Sequence, residues 1–311
     1  MKVTFICPVY NKEKYLPYVI QGIKNQTGTF DKEYIFINDG SSDNSLDVIK
    51  KLTKKLPQTT ILTHTNKGPA FSTQLGIEMA EGDYIKLVGG DDYLLPNCTS
   101  LLLNNLKKTN TVAIFSRYIL DDYLKKNLKL FEKKEKTKNL KKISFPLHST
   151  LLNCFSGTSP TLYCNKSIKK TRGCNKKLFV EDFSLALELS IVGDFSFIEN
   201  ITSVGPLGDK NRIMVGNEAQ LLHDYNAAIY FFLKKHLINK NIMRKVTQKC
   251  IGRTEKFARR TLNYSFFNEL NLLRYKMYLK NYLQDEYLLM IKRSCEFFYN
   301  TREKQKIRYK I

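Results

Sequence analysis

Residues 3–25 of the chain read VTFICPVYNKEKYLPYVIQGIKN. The apolar run Val3–Val9 has no polar alternation, which is typical of a strand covered on both faces of a parallel sheet. A short polar turn follows, and Lys14–Asn25 then carries apolar residues at helical spacing. This strand–turn–helix order predicts the first unit of an α/β domain with a mainly parallel, Rossmann-like sheet flanked by helices.

The alternation continues through the first two hundred residues. We predict strands at Tyr34–Ile37, Thr60–Thr63, Tyr84–Val88, Thr111–Tyr118, Thr158–Cys164 and Phe195–Glu199, and helices at Asp43–Leu56, Ala70–Ala80, Cys98–Leu106 and Asp182–Val192. Ile201–Asn217 contains glycines and a proline without periodicity, which predicts a loop. The spacing is helical after Glu218, so we divide the chain into an α/β domain, residues 1–217, and a basic helical region, residues 218–311.

The charge of the chain is unusual for an otherwise ordinary globular composition. Its 311 residues include 51 Lys and Arg against 29 Asp and Glu, a net charge of +22. This excess predicts attraction to a polyanion and leaves nucleic acid, anionic lipid headgroups and a phosphorylated substrate open. Nine lysines fall within Tyr123–Lys142, a stretch that we expect to be an exposed helix or loop beside the sheet.

Several classes of protein are excluded by what the sequence lacks. The seven cysteines form no Cys-x-x-Cys pair and the four histidines have no paired metal spacing, so neither a disulfide framework nor a zinc cluster is indicated. There is no phosphate-binding P-loop, dinucleotide glycine fingerprint or Gly-x-Ser-x-Gly elbow. No export signal is visible, and no apolar run approaches the roughly 20 residues of a membrane span. We expect a cytoplasmic protein, and the inner face of the membrane, an acceptor and a partner subunit are the candidate contacts of its basic helical region.

Polar side chains follow three predicted strands at the point where each strand ends. The three segments are Pro8–Asn11, Asn38–Asp43 and Gly89–Asp92. Open parallel sheets bind ligands outside the carboxyl ends of their strands, where such segments converge. Carboxylates held close together repel one another unless a cation compensates them, so we expect Mn²⁺ or Mg²⁺ at Asp91 and Asp92. Asp39 is placed to accept a hydrogen bond from a base or a ribose.

Four ordered motifs stand in the first hundred residues. They are Cys7-Pro8-Val9-Tyr10-Asn11, Ile37-Asn38-Asp39-Gly40-Ser41-Ser42-Asp43, Asn66-Lys67-Gly68, and Gly82-Asp83-Tyr84-Ile85 leading into Asp91-Asp92. Together they resemble the family-two glycosyltransferases of the A-type fold. The pair Glu181-Asp182 is similar to the acidic pair that this family has near its acceptor, so the resemblance extends to about residue 215.

The resemblance implies an inverting transfer from a nucleotide-diphosphate sugar, such as a UDP-sugar, to a hydroxyl of a glycan or lipid-linked acceptor. The product would belong to a bacterial surface polysaccharide or lipooligosaccharide. Asp182 would be the general base, with Glu181 as the competing candidate, and Asp91 would bind the metal with support from Asp92. The other donor contacts that the resemblance implies are Pro8, Tyr10, Asn11, Asp39, Gly68 and Gly90.

Two positions depart from the family pattern. Gly89 stands where the metal signature usually begins with an aspartate, and Ser72-Thr73-Gln74 supplies no charge where the family often has an arginine. Lys210 and Arg212, in the predicted loop, are candidates to close over the diphosphate instead.

Two other functions stay open at this point. A basic nucleic-acid-binding protein without transferase activity would explain the aromatic and basic residues of the helical region. A sugar nucleotidyltransferase shares the strand–helix order, but its glycine-rich, arginine-containing loop is replaced here by Pro8-Val9-Tyr10-Asn11.

Overall fold

The computed structural model describes residues 1–124, 136–153, 155, 157–209, 216–265, 268–280, 282–300 and 307–311. The strands are β1 (Lys2–Val9), β2 (Asp31–Asn38), β3 (Thr59–Thr63), β4 (Tyr84–Leu87), β5 (Tyr93–Leu94), β6 (Ala113–Asp121), β7 (Lys141–Ile143), β8 (Thr161–Cys164) and β9 (Phe195–Pro206). The helices are α1 (Leu16–Lys24), α2 (Ser45–Thr53), α3 (Pro69–Met79), α4 (Cys98–Thr109), α5 (Leu147–Leu152), α6 (Asn165–Ile168), α7 (Glu181–Leu189), α8 (Glu218–Leu233), α9 (Lys240–Leu262), α10 (Glu269–Leu279) and α11 (Gln284–Glu296).

The strands form one mixed sheet in the order β3-β2-β1-β4-β8-β6-β9-β5, with β7 paired to β9. The pairs among β1, β2, β3 and β4 are parallel, as predicted, so these four strands end at the same edge. The short strand β8 is antiparallel to both of its neighbours, β4 and β6. It therefore joins the parallel part of the sheet to β6 and β9, which are again parallel to each other.

The prediction of a loop over Ile201–Asn217 is wrong for residues 201–206, which belong to a strand. β9 continues to Pro206, because this segment pairs with β6 on one side and with β5 on the other. Gly205 is needed for close packing here, since a Cβ atom would lie 3.0 Å from Asp92 Oδ1 and 3.2 Å from a Tyr118 ring carbon. The glycine that suggested a loop instead makes room beside the sheet.

The prediction that Tyr123–Lys142 is an exposed helix or loop is also wrong at both ends of this segment. Tyr123 is completely buried, and its ring centroid lies 6.3 Å from that of Tyr15 and 6.2 Å from that of Tyr93. At the other end, Lys141–Ile143 forms β7. Residues 125–135 lie outside the described part of the chain, so the prediction for them stays a prediction.

Apolar side chains cover both faces of the sheet. On one face, Leu16, Val19 and Leu102 of α1 and α4 pack against the strands. On the other, Ile77 of α3 and Leu185 of α7 do the same. The sheet is therefore rigid and leaves its polar carboxyl edge as the place for chemistry.

Helices α8 to α11 share one apolar cluster, whose buried members include Ile229, Val246 and Ile291. The same cluster contains Leu178 and Phe183, from the chain that leads into and begins α7. The domain boundary at residue 217 stays a prediction, and the core of the helices extends across it. Among the helices in the described ranges, none is both long and apolar enough to cross a bilayer.

Candidate active site

The turns after β1 and β2 are tied together at the carboxyl edge of the sheet. The Asp39 N–H donates to the Val9 carbonyl over 2.8 Å. Asn11 has a positive φ of 51°, and its Oδ1 accepts from the Ser42 N–H over 2.8 Å. Asn11 therefore joins the two turns, which is a structural contribution at a position that the sequence assigned to donor binding.

Asp39 is buried beside these turns. Its Oδ1 accepts from the Lys67 N–H over 2.6 Å and its Oδ2 from the Gly68 N–H over 2.9 Å, and His64 Nδ1 lies 3.4 Å from Oδ1. Burial raises the pKa of Asp39, while the two N–H donors and the nearby positive charges oppose that rise. Tyr10 follows β1 at the same edge and is 41% exposed, so its ring is open for stacking.

The turn Gly89–Asp92 follows β4 and lies against the turn after β1. Gly90 allows this approach, since a Cβ atom there would come within 3.0 Å of the Pro8 carbonyl oxygen. Lys12 Nζ lies 2.7 Å from Asp91 Oδ2, and both side chains are mostly buried. The carboxylate predicted to bind a metal is thus paired with a cation from the chain itself.

A buried polar network fixes the side chain of Asp92. Its Oδ2 accepts from the Ser159 hydroxyl over 2.6 Å, and the same hydroxyl accepts from the Gly89 N–H over 2.9 Å. The fully buried Lys86 donates from Nζ to the Ser159 carbonyl and to the Leu87 carbonyl. Burial lowers the pKa of Lys86. These contacts suit a supporting role for Asp92.

The same network leaves little room for a side chain at position 89. A Cβ atom at Gly89 would lie 2.6 Å from Asp92 Oδ2. Because real Cβ atoms do not approach an oxygen so closely, a side chain at position 89 would require the Asp92 carboxylate to move. Gly89, where the sequence departs from the family pattern, therefore suits the observed position of Asp92.

Glu181, the first residue of the acidic pair, is linked to this turn through the segment Thr158–Ser159. The Thr158 hydroxyl donates to Glu181 Oε1 over 2.8 Å, while the neighbouring Ser159 holds Asp92. Burial, and after it the charges of Asp182 and Asp92, raise the pKa of Glu181 to about 8. Asp182 is more exposed than Glu181. One short segment thus brings together carboxylates that are about ninety positions apart in sequence.

Helix α8 fixes the chain just before the acidic pair. Asp224 Oδ2 accepts from the Phe179 N–H over 2.7 Å. Its Oδ1 lies 2.7 Å from His223 Nδ1 and accepts from the Gln220 amide over 2.8 Å. All three side chains of this cluster on α8 are buried. The helical region therefore supports the start of α7 as well as its own core.

Asp91 is the candidate carboxylate for a divalent ion in this turn. Within the described ranges, no group of three or more Asp, Glu, His and Cys side chains is placed to hold a metal. Mg²⁺ commonly takes one or two protein carboxylates and completes its shell with substrate phosphates and water. Asp91 fits such an ion, which would have to compete with Lys12 for it.

Several residues of the site have no distinguishing pattern in the sequence. Lys12 follows the first predicted strand, but nothing in the sequence distinguishes it from the other lysines of this basic chain. Ser159 lies just before β8 and belongs to no recognisable motif. Arg308 donates to Asn66 from 242 positions away, a contact that no sequence spacing indicates. Lys210 and Arg212 lie outside the described residues, so their proposed contact with the diphosphate stays a prediction.

The chain matches a family model and several curated proteins. The model described as Glycosyl transferase family 2 matches residues 4–160. The chain is 36% identical over 111 residues to the chondroitin synthase of Pasteurella multocida, which is 36% of this chain and 11% of that protein. It is 33% identical over 129 residues to an uncharacterized glycosyltransferase of Haemophilus influenzae, 41% of this chain and 51% of that protein.

A third relative is the poly(ribitol-phosphate) beta-glucosyltransferase of Bacillus spizizenii, 34% identical over 97 residues, 30% of this chain and 15% of that protein. The chain thus spans between about a tenth and about half the length of these three relatives.

Solved structures share the fold over nearly the whole chain. S. aureus TarS residues 1–349 in complex with UDP-GlcNAc matches with a TM-score of 0.66 at 14% identity, covering 94% of this chain and 83% of that one. The mannosyltransferase PcManGT from Pyrobaculum calidifontis, in complex with GDP-Man and Mn²⁺, matches with a TM-score of 0.56 at 11% identity, covering 95% and 85%. The predicted A-type glycosyltransferase fold is confirmed.

Proposed function

Because the chain belongs to glycosyl transferase family 2, we propose that it moves a hexosyl or N-acetylhexosaminyl group from a UDP-sugar to a hydroxyl of a glycan or lipid-linked acceptor. The observation that carries this proposal is the junction at Thr158–Ser159, which brings Glu181 beside the turn of Asp91 and Asp92. The chondroitin synthase and poly(ribitol-phosphate) glucosyltransferase relatives support an acceptor in bacterial surface polysaccharide or lipooligosaccharide synthesis. TarS with UDP-GlcNAc supports the choice of donor.

In the proposed reaction, Asp182 takes the proton of the acceptor hydroxyl as that oxygen bonds to the anomeric carbon. The bond from the anomeric carbon to the diphosphate breaks on the opposite face, so the nucleoside diphosphate leaves and the configuration inverts. A positioned base of this kind contributes roughly 10²–10⁴ in rate. Asp39 accepts a hydrogen bond from the nucleoside, and the exposed ring of Tyr10 stacks on it.

A divalent ion completes the proposal for the diphosphate. Asp91 would hold Mn²⁺ or Mg²⁺, and such an ion supplies positive charge to the leaving diphosphate without a proton transfer. Lys12 carries a positive charge at the same place. Asp92 keeps the turn in position through Ser159.

The proposal is tested by thermal shift with a panel of UDP-, GDP-, dTDP- and CMP-sugars, with and without Mn²⁺. A ligand that binds only the folded state raises the melting temperature, so we expect one UDP-sugar to stand out. Release of UDP in the presence of an acceptor panel then identifies the acceptor. A chain that binds none of these donors, with or without the ion, is not a nucleotide-sugar transferase.

The competition at Asp91 gives a prediction for Lys12→Met. Removing the ammonium group leaves Asp91 free for the divalent ion, so less Mn²⁺ should be needed for half-maximal nucleotide binding. Without the ion, the same variant should bind nucleotide at least about tenfold more weakly, since a charge-assisted contact is lost. Nucleotide titrations in EDTA and at graded Mn²⁺ measure both effects.

Lys14→Met is the matched control on the same turn. Lys14 is exposed and lies 3.8 Å from Asp209 rather than beside Asp91, so its Mn²⁺ requirement should stay at the wild-type value. An unchanged or higher Mn²⁺ requirement in Lys12→Met would show that Lys12 and the ion do not compete.

The outer face of α10 supports contact with a membrane. Its apolar residues Leu272, Tyr275, Tyr278 and Leu279 are 56–88% exposed, and the exposed Lys276 and Lys280 lie next to them in the sequence. Apolar side chains flanked by basic ones are typical of a helix that lies in a membrane interface. We therefore propose peripheral binding to the anionic inner face of the cell membrane.

Vesicle flotation tests the membrane proposal. At low ionic strength the protein should float with phosphatidylglycerol vesicles but not with phosphatidylcholine vesicles, and high salt should release it. The double variant Leu272→Glu, Leu279→Glu should stay at the bottom of the gradient. The control is Met79→Glu, because Met79 is an exposed apolar residue on a different helix, α3. Equal flotation of both variants would exclude α10 as the contact.

A further inference from the structure

The segment 307–311 is anchored on the helical region by contacts that do not use the Arg308 side chain. Ile307 is buried in a cluster with Phe257. The backbone N–H of Arg308 donates to Gln220 Oε1 over 2.8 Å. These contacts fix where the Arg308 side chain begins.

The Arg308 guanidinium then reaches residues 66–68, between β3 and α3. Nη2 donates to the backbone oxygen of Asn66 and, over 2.6 Å, to its Oδ1. Nη1 lies against Gly68, where a Cβ atom would come within 3.0 Å of it. The guanidinium carbon is 5.5 Å from the ring centroid of Phe179. One side chain thus joins the 66–68 segment to the chain that precedes α7.

Residues 66–68 in turn hold Asp39. The N–H groups of Lys67 and Gly68 donate to its two carboxylate oxygens. The charge of Arg308 is also one of the influences that keep the pKa of Asp39 from rising further with burial. A buried carboxylate depends on such neighbours for its position and for its charge.

We propose that Arg308 is a positioning residue of the donor site, which fixes Asn66 and Gly68 and thereby sets the place of Asp39 and the affinity for the nucleoside of the donor. The inference rests on the proposed function, because it takes Asp39 as a contact of the nucleoside. It gives the helical region, whose part in catalysis the sequence leaves open, a share in donor recognition.

The test is calorimetric titration of UDP, with GDP in parallel, into the wild-type protein and Arg308→Ala well below their melting temperatures. Arg308→Ala should raise the Kd for the nucleotide about tenfold or more, since two charge-assisted hydrogen bonds are lost. The KM for the donor should rise with it, while kcat at saturating donor stays within twofold. Arg308→Lys keeps the charge but loses the planar guanidinium that lies against Gly68 and the Phe179 ring, so its Kd should lie between the two.

Lys310→Ala is the matched control, because Lys310 belongs to the same segment and is exposed. It should leave the Kd unchanged. If the role of Arg308 is purely structural, Arg308→Ala should have a lower melting temperature but a Kd within twofold of wild type. That result would overturn this inference and leave the proposed function intact. If Arg308→Ala does not fold, Arg308→Gln is judged by the same Kd criterion. A wild-type protein that binds neither nucleotide overturns the proposed function first and this inference with it.

Discussion

Asp182→Asn is expected to lower kcat by about 10²–10⁴-fold, the usual contribution of a positioned general base. Asparagine has nearly the shape of aspartate but cannot take the proton of the acceptor hydroxyl. Donor binding should stay at the wild-type value, because the lost group acts on the acceptor. Initial rates at saturating donor and acceptor, with nucleotide titration of the same sample, measure both quantities.

Glu181→Gln is the comparison that separates the two carboxylates. Burial and the charge of Asp182 raise the pKa of Glu181 to about 8, so Glu181 is largely protonated at neutral pH and is a poor proton acceptor. It also accepts a hydrogen bond from Thr158, which glutamine retains. We expect Glu181→Gln to keep most of the activity. Loss of activity in Glu181→Gln with a working Asp182→Asn would reverse the two roles.

Glu181 should make a contribution to stability that falls as the pH rises from about 4.5 to about 8. The pKa of Glu181 is raised from its ordinary 4.5 to about 8, so in this window the folded state holds a proton that the unfolded state has released. The free energy of unfolding then decreases with pH, by at most about 1.4 kcal/mol per pH unit, and this contribution is constant above about pH 8. Urea denaturation at a series of pH values measures the slope.

Glu181→Gln should flatten this slope and unfold at higher urea than wild type at pH 8.5, since it no longer places a charge in the interior. Glu188→Gln, on the same helix α7 but less buried, should keep the wild-type slope. A wild-type slope in Glu181→Gln would mean that Glu181 is ionised at lower pH than the structure indicates.

The sheet could be predicted from sequence because its strands are local apolar runs. Val3–Val9 was predicted and β1 is Lys2–Val9, and the carboxylates at Asp39 and Asp91 follow from where such strands end. The continuation of β9 to Pro206 could not be predicted in this way. It depends on pairing with β5 and β6. The local sequence, which contains Gly205 and Pro206, instead favours a loop.

The partners of the site residues were not predictable for a related reason. Lys12 and Asp91 are 79 positions apart, and Ser159 and Asp92 are 67 positions apart, with no periodicity connecting them. Sequence motifs identify which carboxylates stand at the edge of the sheet. The packing of distant turns decides which cation or hydroxyl contacts each of these carboxylates.

The position of β8 limits how the chain can be divided. β8 lies between β4 and β6, and it begins at Thr161, just beyond the region matched by the family model. A fragment ending at residue 160 would leave both neighbouring strands with unpaired backbone donors and acceptors. Open edges of this kind recruit strands from other molecules. The matched region is therefore a poor unit for separate expression, because it lacks both β8 and β9, the strands that pair with β4, β5 and β6.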